Sequence, residues 1–190
     1  MCLLLFTSCM GDDSYQPKRK GYFRISFPNK EYTTYNKDCP FTFDYPVYAK
    51  VVKDSDADAQ PCWLNVVYPT FRGKLYLSYK TINGNLASYL DESRAFAVKH
   101  EVKASAINER DVINPKEKVY GLIYDIEGNA ASNMQFYLTD STTNFIRGAL
   151  YFYSVPNKDS LQPVLAFIKQ DIYHMVETFR WKDDATTKKP

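Results

Sequence analysis

Short stretches in which aromatic or aliphatic residues alternate with polar ones, cut off every few residues by Pro, Asn or Gly, dominate the first half of the chain. Side chains two apart on an extended backbone share a face, so this pattern specifies half-buried strands joined by turns. Residues 22–27 (Tyr-Phe-Arg-Ile-Ser-Phe), 41–43, 49–52, 64–68 and 74–79 all fit it. The 16 Tyr, 12 Phe and 2 Trp of the 190 residues supply bulky side chains suited to pleated surfaces.

After Asn83-Gly84-Asn85 the period lengthens. Leu86, Tyr89, Leu90, Ser93, Ala97 and His100 fall on one stripe at helical spacing, which predicts a helix over 85–102. Strands follow at 119–126, 131–139 and 145–154, separated by Gly128-Asn129 and by Asp140-Ser141-Thr142-Thr143, both turn signals. A second helix starts near Asp159 or Ser160, either able to cap it, with Leu161, Leu165, Ile168, Ile172, Met175, Val176 and Phe179 on its apolar face. The expected fold is therefore α+β: a mainly antiparallel sheet of about six to eight strands with two packed helices, in a single domain over 22–181, followed by a polar tail at 182–190.

The N-terminus carries a different signal. Leu3-Leu4-Leu5-Phe6 leads through the small residues Thr7-Ser8 to Cys9 and then to polar Gly11-Asp12-Asp13. A short apolar run, two small residues and a cysteine form a lipoprotein signal, in which the Cys9 thiol receives a diacylglycerol group. The run is far shorter than the 20 or so apolar residues a membrane-spanning helix needs. No positive charge precedes it, so residues 1–9 read as a truncated signal peptide. Residues 10–21 form a flexible tether, about 40 Å long if extended.

Cys39 and Cys62 then remain in the mature chain, and an even pair in an exported protein suggests a disulfide. The other reading is two buried unpaired cysteines. Neither spacing nor neighbouring His favours a metal or redox role.

Chemistry is sparse. His100-Glu101 starts like a zinc motif, but Ala104 stands where the second His belongs. His174 falls among Asp171 and Glu177 on what reads as the solvated side of the last helix. Asp54, Asp56 and Asp58 alternate as at the start of a calcium loop, without the glycine and glutamate that complete one. Asp12-Asp13 and Asp183-Asp184 lie in the tether and tail, where no rigid carboxylate geometry is held. These features predict no enzyme, no catalytic residue, no metal and no cofactor. The 24 basic and 22 acidic residues, net +2 and interspersed, give no footprint for nucleic acid. Tyr76, Tyr79, Tyr151 and Tyr153 are assigned chiefly to sheet packing, with a protein-binding or sugar-stacking face as the alternative use.

Several strings resemble the GldD family of gliding motility lipoproteins: Lys37-Asp38-Cys39-Pro40-Phe41-Thr42-Phe43, Cys62-Trp63-Leu64-Asn65-Val66-Val67-Tyr68-Pro69, Lys118-Val119-Tyr120-Gly121, Gly128-Asn129-Ala130-Ala131-Ser132 leading into Gln135-Phe136-Tyr137-Leu138-Thr139-Asp140-Ser141, and Leu150-Tyr151-Phe152-Tyr153. The truncated signal is the main departure. The resemblance implies a non-catalytic envelope component, anchored at Cys9, that acts with other Gld proteins and the type IX secretion apparatus. It supplies no catalytic residue and leaves the membrane open, Asp12-Asp13 favouring the outer one. The alternative is a periplasmic module that binds peptidoglycan or another glycan.

Overall fold

The computed structural model describes residues 25–153 and 158–182, with the side chains of 158–160 left aside. The expectations placed on the signal, Cys9, the tether and residues 183–190 lie outside these residues.

The described chain runs β1 (Tyr32–Tyr35), β2 (Phe41–Pro46), β3 (Lys50–Lys53), β4 (Leu64–Tyr68), β5 (Gly73–Thr81), α1 (Leu86–Val98), β6 (Ala104–Asn114), β7 (Val119–Gly128), β8 (Ser132–Thr139), β9 (Asn144–Phe152), α2 (Lys158–Thr178) and β10 (Arg180–Trp181). Seven strands make an antiparallel sheet in the order β3-β4-β5-β9-β8-β7-β6, and β1-β2-β10 make a small second sheet. The fold is α+β, with the large sheet inside the expected strand number and the three-stranded sheet added to it.

Alternation decides the two faces of the large sheet. Leu64, Leu77, Gly148, Phe136 and Ile123 lie opposite one another in register, and the four with side chains point into the main core. That core is closed by Val164, Ile168, Ile172, Met175 and Val176 of α2 and by Phe41, Phe43 and Phe179 beside the small sheet. Burying each fully enclosed Ile stabilises the fold by about 1.5–3 kcal/mol. At Gly148 a Cβ would stand 2.2 Å from the Phe136 ring, so glycine is required for that ring to lie flat on β9. The opposite face packs against α1 through a smaller cluster of Ala97, Tyr124, Ile126 and Ala130. The buried α1 residues are Ser93 and Ala97, small enough to bring the helix close to the sheet.

The short strands β1 and β10 were not expected, Phe179 lies just past the end of α2 rather than on it, and three further segments differ from the sequence-based expectation. Residues 25–30 form no strand; Phe27 instead stacks on Phe167 of α2 (4.5 Å), Pro28 offers no backbone donor, and strand pairing begins only at Tyr32. The first helix ends at Val98 rather than 102, because the chain reverses through residues 99–103 to enter β6, which was not foreseen. β6 lacks clean alternation and carries Glu109-Arg110-Asp111; as an edge strand, it owes its conformation to pairing with β7 along nearly its whole length.

The structure joins Cys39 and Cys62 in a disulfide, with Cα atoms 5.5 Å apart. The bridge links the chain just before β2 in the small sheet to the chain just before β4 in the large one. The Asp140 turn is held differently: its carboxylate accepts from the backbone N–H groups of Thr142 (2.9 Å), Thr143 (2.8 Å) and Asn144 (2.9 Å) and from Asn144 Nδ2 (2.7 Å). Burial alone raises its pKa, but these donors outweigh burial and bring it below 3.8.

Unreduced, denatured protein should leave Cys39 and Cys62 closed to thiol reagents, and reduction should destabilise the fold by about 3 kcal/mol; labelling of both before reduction would refute the bridge. Asp140→Ala should lower stability at neutral pH by about 1 kcal/mol, the scale of a lost cap. Because the folded-state pKa is depressed, that contribution exists above 3.8 and disappears as pH falls through the lower folded value, so urea midpoints of wild type and variant should converge in strong acid.

Candidate functional site

Asp171 sits on the apolar stripe of α2, between Ile168 and Met175, and is 0% exposed. This corrects its placement on a solvated face. Its Oδ1 accepts from Lys30 Nζ (2.5 Å) and the Tyr32 hydroxyl (3.1 Å), and its Oδ2 from the Tyr48 hydroxyl (2.7 Å). Lys30 Nζ also donates to the Phe167 carbonyl (2.7 Å) and lies 3.4 Å from the Phe167 ring centroid. Burial, followed by the Asp171 charge, pushes the Tyr32 phenol up to about 12; burial and the hydrogen bond to Asp171 raise Tyr48 further. Both phenols are therefore fixed as neutral donors. The hydroxyl of fully buried Tyr68 has no hydrogen-bond partner among the described residues and lies in the field of the same carboxylate.

With its two oxygens taken by an ammonium and two phenols, Asp171 is not free to act as a general base. Its work is to fasten the N-terminal segment and the β2–β3 connection to α2. A second polar tie fastens the other flank of the helix to the sheet, where Lys169 pairs with Asp125, Tyr173 donates to Asp125 Oδ2 (3.4 Å), and Arg110 lies 4.6 Å over the Tyr173 ring.

The two histidines are not brought together. His174 stacks on Tyr32 (centroids 3.8 Å), and its Nε2 lies 3.6 Å from Asp44 Oδ2 without a hydrogen bond, so it faces Asp44 rather than Asp171 and Glu177. His100 stands beyond the end of α1; burial and then the Arg147 charge lower its pKa below 6.5. Among the described residues no three His, Cys, Asp or Glu side chains gather as metal ligands. Asp54 serves its own loop by accepting the backbone N–H of Asp56 (3.2 Å).

Of the four tyrosines singled out from the sequence, three converge and one does not. Tyr79 packs against the main core and donates to Asn144 Oδ1 (2.7 Å). Tyr76, Tyr151 and Tyr153 lie on the opposite face of the sheet around Lys74, a residue that sequence reasoning passed over. Lys74 is opposite Tyr151 in register, Tyr76 is opposite Ala149, and Tyr153 is two residues beyond Tyr151. The Tyr76 and Tyr151 rings meet edge to face at 5.7 Å, and Lys74 Nζ lies 4.3 Å from the Tyr76 centroid and 5.7 Å from that of Tyr153. Hydrogen bonds from Lys74 and then Tyr76 lower the Tyr153 pKa, while burial is the main influence raising that of Tyr76. The signal available in the sequence was parity: residues 74, 76, 151 and 153 share a face once β5 and β9 are paired.

Asp171→Ala should destabilise the fold by about 3–5 kcal/mol in urea unfolding, since it strands Lys30 without its counter-charge. A loss below about 1 kcal/mol would show that the cluster does not hold the N-terminal segment.

Comparison with curated proteins found no match. In shape the chain is similar to the solution structure of cyanobacterial PsbP (CyanoP) from Synechocystis sp., at 10% identity and a TM-score of 0.49, covering 84% of this chain and 97% of that one. No helix among the described residues is long and apolar enough to cross a membrane. A family match, described as gliding motility lipoprotein GldD, extends over residues 12–181. It takes in both sheets, both helices and the Asp171 cluster, and the chain belongs to the GldD family of gliding motility lipoproteins.

Proposed function

We propose that the protein is a non-catalytic accessory component of the bacterial gliding machinery, held to the cell envelope through acyl chains on Cys9 and linked to type IX secretion. The observation that carries this is the family match over residues 12–181, which begins three residues after the cysteine that closes the apolar run. Each buried methylene of an acyl chain adds about 0.8 kcal/mol to membrane affinity, so two or three chains anchor the protein stably while the domain stays in the aqueous phase. The Asp171 cluster suits this role, because it roots in the core the segment by which the domain hangs from its tether. Its partners are other Gld envelope proteins and the secretion apparatus, with the outer membrane favoured as the site of the anchor.

An in-frame deletion should abolish colony spreading and reduce the proteins exported to the medium, and the wild-type gene should restore both. Cys9→Ser should shift the protein from washed membranes to the soluble fraction and fail to complement. Normal spreading and export in the deletion strain would overturn the proposal.

A further inference from the structure

The face of the large sheet opposite α2 presents a connected row of cations and phenols: Arg147, Tyr151, Tyr76, Lys74 and Tyr153. The Arg147 guanidinium donates to the Tyr151 hydroxyl oxygen and to Gln135 Oε1 (2.6 Å), Tyr151 meets Tyr76, and Lys74 joins Tyr76 to Tyr153. Neither cation forms an ion pair with a carboxylate among the described residues. Glu92, whose charge acts on Arg147, is paired with Lys80 at 2.7 Å, and Asp54 acts at a distance on Tyr153. Arg147 is met by Gln135 Oε1 and lies 4.4 Å over the Phe96 ring of α1, whereas Lys74 is met by the rings and phenolic oxygens of Tyr76 and Tyr153.

We propose that this row is a binding surface for a polysaccharide strand that carries carboxylated sugars. Tyrosine rings set on rigid strands offer apolar platforms to the C–H faces of pyranose rings, while their hydroxyls exchange hydrogen bonds with sugar hydroxyls. Lys74 supplies the missing counter-charge for a carboxylate, with Arg147 behind Tyr151. The surface is open rather than enclosed, with Tyr153 52% exposed, which suits an extended polymer better than a small buried ligand. Two cations separated by rings are too sparse for a phosphate backbone, which draws its affinity from dense Lys and Arg contacts. The inference adds a ligand to the anchored role and rests on that role only for placing the surface within reach of envelope glycans. Binding measured on purified protein tests it independently.

The experiment is affinity electrophoresis of the full chain in non-denaturing detergent, through gels containing polygalacturonate, dextran or dextran sulfate, with single-stranded oligothymidylate as a competitor. Polygalacturonate should retard the protein and neutral dextran should not. Lys74→Gln and Tyr151→Ala should each weaken retardation about tenfold, and Lys116→Gln, with a side chain 90% exposed on the turn after β6, should leave it unchanged. If Tyr151→Ala fails to fold, exposed Tyr153→Leu replaces it. Absence of retardation, retardation that Lys74→Gln leaves intact, stronger retention by dextran sulfate, or displacement by oligothymidylate would each overturn the proposal.

Discussion

A carboxylate with no exposed surface, placed on the apolar stripe of a helix, is costly to dehydrate unless donors surround it. Asp171 meets that condition with three donors from one early stretch of the chain, Lys30, Tyr32 and Tyr48, all far from it in sequence. Lys30 also needs Asp171, because its ammonium is drawn under the rim of the core, against the Phe167 ring and carbonyl. The position of the N-terminal segment, the way β1 meets β2 and the rotation of α2 about its axis are therefore coupled through one anion. The apolar contacts of Ile168, Ile172 and Met175 drive the helix onto the sheet, and the carboxylate selects which way it faces.

The two faces of the large sheet have been put to different uses by the same alternation. One side is apolar from β4 to β7 and is closed by α2 and the small sheet. The other is only partly covered by α1, whose small buried residues seat it near β7, β8 and β9. Toward β5 and the end of β9 it carries Lys74 and three tyrosines instead of a packed helix. The disulfide and the Asp171 cluster both act on the first side, while the second is tied to α1 by the Lys80–Glu92 ion pair and by Arg147 over the Phe96 ring.

The strands at 64–68 and 132–139 were legible because apolar periodicity and turn residues agreed there. The Asp140 turn was legible for a similar reason, since an Asp at its start can satisfy three backbone donors by itself. β6 was hidden because an edge strand can be polar throughout and still be held by its neighbour. Residues 25–27 misled because Ile25 packs against the main core and Phe27 lies across the Phe167 ring of α2, contacts that are made without any strand pairing. Asp171 was visible as an acid three residues after Ile168 and four before Met175; what the local pattern lacked was any sign that Lys30, more than a hundred residues earlier, would meet it. Likewise, the shared face of Tyr151 and Tyr153 was readable from their spacing, while their meeting with Lys74 and Tyr76 required the β5–β9 pairing.

The location of the Lys30–Asp171 contact has a mechanical consequence. Were the domain suspended from its N-terminal side, as proposed, any drag on it would act as tension along that segment. In chain order Lys30 precedes the first hydrogen-bonded strand, so such a pull would arrive at a charge-assisted joint seated on a 21-residue helix before it reached the β1–β2 ladder. Force would then be spread over the long interface of α2 with the sheet, instead of peeling a four-residue strand one hydrogen bond at a time.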